Sequence, residues 1–516
     1  MDVGVPDLPA GGSVDAGTTE RMAVLMSVRT IEIPEHIAYE ASLGLWERAP
    51  LLSARTVLTR SQGIGLIVAT VLYVTALVAA WRPMVIVTLL VVSVVFLIAT
   101  AFKFHVSLSG ARYDLADRID PAEIEALTDD ELPTYTVLVP VFREANIVHQ
   151  LVTNLGALDY PAHKLEILIL VEEEDDETRA AIEASPTPDN FTVVVVPKGH
   201  PQTKPRACNV GLAIATGEYL VIYDAEDAPD PLQLKKVVVA FRNASEDTVV
   251  MQASLNYFNV RENLLTRMFT LEYSYWFDYM LTGLDVSSLP IPLGGTSNHF
   301  RTEALRTLGG WDPFNVTEDA DLGIRASAQG YQVGIVDSVT MEEANTSIPN
   351  FVRQRSRWIK GYMQTTLVHA RSPLRLIRRI GPKRFIGFLL LIAGTPLTFL
   401  GVLPLVLLTV FTWALPTEIV EPLFPTPVLV LVLLNFLVGS SLIVYLNMLG
   451  PWKRGDFSLI WWALLNPLYW VLHSVASYKA LGQLIVRPHY WEKTEHGLTT
   501  HETPDPAVTA TITINR

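Results

Sequence analysis

Three kinds of hydrophobic pattern divide the chain. The first is the long unbroken run. Residues 63–81 and 83–102 are apolar almost throughout, and each approaches the ~20 residues a membrane helix needs. Only Trp81-Arg82-Pro83 separates them, which predicts a tight helical hairpin with both ends on one side. Arg55 and Arg60 precede it, and Lys103, Arg112 and Arg118 follow. An excess of cations marks that side as cytoplasmic. Runs of the same kind return at 385–415 and 428–449. Arg371, Arg375, Arg378, Arg379, Lys383 and Arg384 stand before the first, and Lys453 and Arg454 follow the second. Between them Glu418 and Glu421 stand without a cation, so that loop is placed outside. The run 385–415 exceeds one straight span, so its first turns are expected in the interface.

The second pattern is the short apolar run. Residues 135–139, 166–171, 192–196, 219–223 and 249–252 read as strands. Helical periodicity lies between them, at 144–155, 206–215 and 232–243. Strand alternating with helix predicts a doubly wound α/β sheet, inserted between membrane segments.

The third pattern is amphipathic and aromatic. Residues 261–283 carry Phe269, Tyr273, Tyr275, Trp276, Phe277 and Tyr279, which suits a helix lying on the membrane surface. Residues 457–486 are apolar enough to suggest a fifth span. They also carry Asn466-Pro467, His473, Ser474, Ser477, Lys479 and Gln483, which favours an interfacial or re-entrant segment. Four spans with both termini inside follow from that reading. The N-terminal 62 residues are polar and mixed, with no signal-peptide pattern at Met1. They are expected to be cytosolic and partly disordered, with a short amphipathic helix at 43–60.

Composition agrees with a mixed membrane and soluble protein. The chain of 516 residues is 50% hydrophobic, yet its net charge is −14. That acidity argues against a nucleic-acid partner, which needs a basic footprint. A lone cysteine, Cys208, excludes an internal disulfide and a cysteine-rich metal site; a small buried residue is its simplest role.

The chemistry begins at Tyr219–Tyr223, a buried strand that stops at carboxylates. Ligands bind outside the carboxyl ends of such strands. Asp224 and Glu226 stand two apart, on one side if the chain stays extended. They suit a hard divalent cation, or else form an acidic turn. Glu144 stands at a helix start, where it contacts a base or ribose or simply favours the helix dipole. The strand 165–171 runs into Glu172 and Glu173, of which one or both could read a nucleoside. Lys204-Pro-Arg206 puts cations at a helix N-terminus, a phosphate site or an exposed basic pair. Gly294 and Gly295 let backbone approach a ligand. Thr317-Glu318-Asp319 either serves chemistry or caps a helix. Gln354-x-x-Arg357-Trp358 pairs a cation with an aromatic plane, as a phosphate and sugar site needs; otherwise it is a cationic interfacial helix.

The paired carboxylates, Thr-Glu-Asp and Gln-x-x-Arg-Trp, in this order between membrane hairpins, resemble the processive family 2 glycosyltransferases: cellulose, curdlan, chitin and hyaluronan synthases. The likeness covers roughly 60–497. It implies a GT-A-type, Rossmann-like α/β domain in the cytosol, a UDP-sugar donor, Mg²⁺ or Mn²⁺, and inversion at the anomeric carbon. By resemblance Asp224 and Glu226 hold the metal, although the family more often has Asp at the second place. Glu144, Glu172, Glu173, Lys204 and Asp224 bind the donor. Asp319 is the base, with Glu318 and Thr317 beside it. Gln354, Arg357, Trp358, Gly294 and Gly295 hold the acceptor and the leaving diphosphate. Trp491, Thr494 and His496 stand where cellulose synthases have a gating loop, which keeps 457–486 out of the bilayer. Residues 498–516 are too short for the cyclic-di-GMP-binding domain of bacterial cellulose synthases, and two family spans have no counterpart. An accessory subunit or a second copy is therefore expected to complete a translocation channel.

The expected organisation is then a cytosolic segment at 1–62, a membrane hairpin at 63–104, the catalytic domain at 105–383, a second hairpin at 384–449, the interfacial segment at 450–486, the gating-like loop at 487–499 and a polar tail at 500–516. The activity implied is transfer of a sugar, glucose by the family's usual donors, to a growing β-linked polysaccharide that is extruded through the plasma (inner) membrane. A non-processive enzyme acting on diacylglycerol or a polyprenyl phosphate is the alternative acceptor reading. A transporter fits less well, because the spans lack internal repeats and intramembrane charge pairs.

Overall fold

The structure is a computed structural model and describes residues 28–113, 115, 119–493, 497 and 499. Nine strands form one sheet: β1 (Arg29–Glu32), β2 (Tyr135–Val141), β3 (Leu165–Glu172), β4 (Phe191–Val196), β5 (Tyr219–Ile222), β6 (Ala228–Pro229), β7 (Thr248–Tyr257), β8 (Asn298–Arg301) and β9 (Gln332–Glu342). Their order is β1-β4-β3-β2-β5-β8-β7-β9-β6. The half from β1 to β5 is parallel. Antiparallel β8 then joins β5 to β7, and β9 runs parallel to β7. The chain leaves β2 toward β3 and β4 and returns to β5 on the opposite side of β2. That reversal opens a crevice at the carboxyl ends of β2 and β5, where ligands bind in such sheets.

The strands are apolar on both faces because helices cover both. Val137, Val139 and Val141 enter one core while Leu138 enters the other, as the two-residue period of a strand requires. Each such buried side chain contributes about 1.5–3 kcal/mol.

The N-terminal segment departs from expectation. Residues 1–27, where disorder was expected, lie outside the described residues. Beyond them β1 pairs with β4, and helix α1 (Glu35–Arg48) follows it, in place of the helix expected at 43–60. Residues 49–59 carry no helix, and Thr59 caps α2 (Arg60–Ala79) with a reciprocal capping box. The signal was weak because β1 has no apolar alternation and α1 buries small residues, Ala38, Ala41, Ser42 and Gly44, beside Leu45.

Among the described residues, four helices are long and apolar enough to cross a membrane: α2, α3 (Trp81–Ala111), Pro373–Ala414 and Thr426–Lys453. Pro373–Ala414 bends at Gly381-Pro382, where Gly381 has φ +79°, and again at a π-helical turn, Leu389–Ala393.

The segment expected to lie on the membrane surface is buried instead. It forms Leu264–Tyr275, a π-helical turn Trp276–Leu281, and Thr282–Val286, with few exposed residues on any side. Its aromatics surround the helix and do not line one face. It crosses α3 so closely that a Cβ on Gly283 would come within 1.9 Å of the Val106 carbonyl oxygen. Both Gly283 and Gly110 are needed for that crossing. The last helix, Asn466–Val486, follows a 3₁₀ stretch, Ile460–Leu465. Its inner face buries Asn466, His473, Ser474 and Ser477, while Leu468, Val475 and Tyr478 are exposed along the outer side.

Candidate active site

One cavity of about 400 Å³ opens at the crevice and continues toward the apolar helices. Its lining includes most of the residues singled out in the sequence: Glu144, Glu172, Lys204, Asp224, Glu226, Gly294, Gly295, Thr317, Glu318, Asp319, Gln354, Arg357, Trp358 and Trp491. Glu173 does not line it. The Glu173 side chain is turned out and accepts a hydrogen bond from the Lys198 amide at 2.9 Å. Thr494 and His496 lie outside the described residues.

The acids begin where β5 ends at Ile222. Residues 224–227 form a turn, closed by the Asp227 amide donating to the Asp224 carbonyl at 3.1 Å. The same-side argument for an extended Asp224 and Glu226 therefore does not apply; both line the cavity from this turn. Asp227, unremarked in the sequence, organises that turn: its Oδ2 accepts from the Asp224 amide at 2.8 Å and from the Thr296 hydroxyl. Burial, then the charges of Asp224 and Glu226, push its carboxyl well above the usual range. Glu342, at the end of β9, is raised in the same way, by burial and then by Asp227, Asp224 and Glu226. Four carboxyl groups thus repel one another across the crevice.

Lys204 is the cation among them. It begins helix Lys204–Ile214, donates to the Gly295 carbonyl at 2.8 Å and is ion-paired with Asp224. Burial works most strongly against its charge, but Asp224, Cys208 and Glu318 together more than restore it, so its pKa is raised. Arg206, the second cation of that motif, points inward. It is 1% exposed and lies 3.5 Å from Glu172. Burial raises the Glu172 carboxyl to about 7 against the opposing effect of Arg206. Among the described residues, no group of three or more His, Cys, Asp or Glu side chains stands in metal-holding geometry.

Thr317-Glu318-Asp319 forms the start of helix Glu318–Ala328. Thr317 approaches Gly361 so closely that a Cβ there would meet its hydroxyl at 2.1 Å. That contact fits the motif helix against Ile348–His369, which carries Gln354, Arg357 and Trp358. Asp319 Oδ1 accepts from the Ala320 amide at 2.7 Å. Its Oδ2 faces Gly295, 3.5 Å from where a Cβ would stand. Burial raises the Asp319 carboxyl, while Lys204 and Arg357 oppose the rise. Glu318 is raised by burial and by Asp319. Arg357 faces Glu318, Asp319 and Asp224 and has the Trp491 ring 4.6 Å from its guanidinium.

The segment leading to Trp491 closes on the cavity rim. Lys360 donates to the Tyr490 carbonyl at 2.6 Å, and Glu492 accepts from Lys479 at 2.6 Å and Ser356 at 3.1 Å. Lys493 lies 3.4 Å from the centre of the Phe142 ring.

Residues 133–361 match the family model described as glycosyltransferase like family 2. That stretch is similar to family 2 glycosyltransferase domains. It holds every candidate residue except the closing segment. A curated relative, the probable glycosyltransferase YdaM of Bacillus subtilis (strain 168), is 26% identical over 257 residues, covering 48% of this chain and 60% of its own length. This chain thus spans about three fifths of that relative. Among solved structures, a mannosyltransferase of Pyrobaculum calidifontis in complex with GDP-Man and Mn²⁺ is 18% identical, with TM-score 0.41, over 73% of this chain and 99% of that one. Glucosyl-3-phosphoglycerate synthase of Mycobacterium tuberculosis, with Mn²⁺, UDP and its product, is 18% identical, with TM-score 0.31, over 50% of this chain and 85% of that one.

Residues the sequence did not single out complete the site. Asp227 had a signal, a third acid in one short turn. Glu342 had none, because it reaches the crevice only through the pairing of β9 with β7 and β6. Glu272 and Arg355 also line the cavity.

Proposed function

We infer that the protein is a membrane-embedded inverting glycosyltransferase. It transfers a sugar, glucose in the first instance, from a UDP-sugar to the end of a growing β-linked polysaccharide and helps to extrude it. The observation that carries this reading is the continuity of the cavity. The same space that holds Asp224, Lys204 and Asp319 extends past Trp358 to Thr395, Phe399 and His473, on helices beside the proposed membrane. Its deep walls combine aromatic faces with the charged groups Glu272 and Arg355. Aromatic faces and polar groups suit a hydroxyl-rich chain better than an acyl or prenyl chain.

In the reaction, an acceptor hydroxyl oxygen attacks the anomeric carbon and the bond from that carbon to the diphosphate breaks. The hydroxyl proton passes to Asp319, and the bonding pair leaves with UDP. Arg357 and Lys204 offset the charge that grows on the diphosphate. Gly294 and Gly295 leave room beside Asp319 for the acceptor sugar. Mutual repulsion in the acid cluster, and the buried Asp227 Oδ1 with no hydrogen-bond partner among the described residues, fit a divalent ion with hard oxygen ligands. Asp224 and Glu226 would hold Mg²⁺ or Mn²⁺, which supplies positive charge to the diphosphate when bound.

The reading places the catalytic domain and both termini on the cytoplasmic side of the inner membrane, with a second copy or an accessory subunit completing the channel. The second reading, a lipid acceptor, draws on the small number of membrane helices. Full-length protein in nanodiscs, given radiolabelled UDP-sugars and Mg²⁺ or Mn²⁺, separates the two. Label in polymer that resists organic extraction supports the first. Label confined to a single-sugar lipid replaces it with the second.

A further inference from the structure

The deep wall of the cavity holds a buried ionic network that the transfer step does not use. Arg355 and Trp358 stand three apart on one helix, so they share a face. The Arg355 guanidinium lies 4.4 Å from the centre of the Trp358 ring and 4.7 Å from that of Phe269. It is held by a two-pronged pairing with Glu272, Nη1 to Oε1 at 2.8 Å and Nη2 to Oε2 at 2.6 Å. The Tyr469 hydroxyl closes the ring: it donates to Glu272 Oε2 at 2.9 Å and accepts from Arg355 Nη2 at 3.3 Å. The Arg355 side chain is 6% exposed, whereas that of Glu272 is 32% exposed.

A buried ion pair contributes little net stability, because desolvation offsets the attraction. What it does supply is geometry. A planar fork on a planar carboxylate fixes the guanidinium plane, and a cation against an indole fixes the ring beside it. The network draws on three helices distant in sequence, those that carry Glu272, Arg355 and Tyr469.

We propose that Arg355, clamped by Glu272 and Tyr469, is a positioning residue that sets the plane of Trp358 as the platform for the acceptor chain. The acceptor part of this claim rests on the function proposed above. Arg355 acts through Trp358 and has no part in binding the nucleotide.

The test uses full-length protein in nanodiscs, labelled with 5-fluorotryptophan, with the Trp358 signal assigned through Trp358→Phe. The variants are Arg355→Met, Arg355→Lys and Glu272→Gln. If the carboxylate left unpaired by Arg355→Met prevents folding, Glu272→Gln/Arg355→Met removes both charges together. In Arg355→Met or the double variant, the Trp358 fluorine signal is expected to move by more than its linewidth. The KM for a short β-linked gluco-oligosaccharide acceptor is expected to rise about tenfold, the scale of a lost desolvated cation–π contact. UDP affinity should change by less than about twofold, since no donor group is touched. Arg355→Lys, which keeps the charge but not the fork, should fall between. An unmoved Trp358 signal overturns the proposal, as does UDP affinity that falls in step with the acceptor KM. If the unaltered protein turns over no nucleotide sugar, the functional reading fails on its own, and the fluorine signal still decides whether Arg355 positions Trp358.

Discussion

The two ends of the cavity handle charge in opposite ways. At the crevice, Asp224, Glu226, Asp227 and Glu342 face one another, and Lys204 is the cation paired to Asp224. At the deep end, Glu272, Arg355 and Tyr469 bond one another in a closed ring, although Arg355 Nε has no hydrogen-bond partner among the described residues. At the first end, the raised Asp227 and Glu342 carboxyls show that ionising all four acids together is unfavourable. The second has its opposite charges already paired. Like charges brought together cost stability unless a counter-charge joins them, whereas an ion pair already formed fixes geometry more than it adds stability.

The largest break in this comparison comes from Asp319, the proposed base, which lines the same cavity. Asp319→Asn should lower transfer by about 10²–10⁴-fold, the usual contribution of a general base, with UDP affinity nearly unchanged. Steady-state UDP release and calorimetric UDP binding check the two halves. At the crevice, Asp224→Ala should weaken cation-dependent UDP binding by about 10- to 100-fold, since a charged partner is worth about 1.5–3 kcal/mol. Unchanged binding would remove Asp224 from the donor site.

Stability sharpens the contrast further. UDP with Mn²⁺ or Mg²⁺ at about 100 times its Kd should stabilise the fold by about 2.7 kcal/mol, and UDP with a chelator should not. Thermal unfolding with and without chelator reads the difference.

Titration gives the smallest effects. Burial raises the Asp319 carboxyl, so the acid limb of the rate profile should lie above the ~3.9 of a free aspartate. A limb at that ordinary value would contradict the burial of the base. Glu318 is also raised, which favours its neutral form in the folded chain. Its effect on stability therefore worsens as pH climbs from the unfolded value of ~4.3 toward the raised folded one. Glu318→Gln should flatten that decline in urea unfolding measured across the same range.

The parallel half of the sheet was legible because its strands are continuous apolar runs bounded by turns and carboxylates. Asp224, Asp319, Arg357 and Trp358 were legible because their motifs are local. β1 was not, since Arg29–Glu32 is short, exposed and without alternation, and becomes a strand only by pairing with β4. Glu173 was misplaced for a similar reason: along an acidic run nothing in the sequence tells which carboxylate turns inward. The burial of Leu264–Val286 also escaped, because an aromatic helix reads alike whether it meets lipid or other helices. Arg355 was hidden by its place inside the Gln-x-x-Arg-Trp motif, where Arg357 drew the chemistry. Its partners lie far along the chain, and only the packing of Glu272 and Tyr469 reveals it.

The most direct measurement is simultaneous UDP release and sugar incorporation by the reconstituted protein, with a panel of UDP-sugars, beside the Asp319→Asn variant. One UDP should be released for each sugar gained by a polymer, and the variant should incorporate sugar about 10²–10⁴-fold more slowly despite normal UDP binding. Incorporation at an undiminished rate by Asp319→Asn, or the absence of UDP release with every donor, would contradict the proposed function.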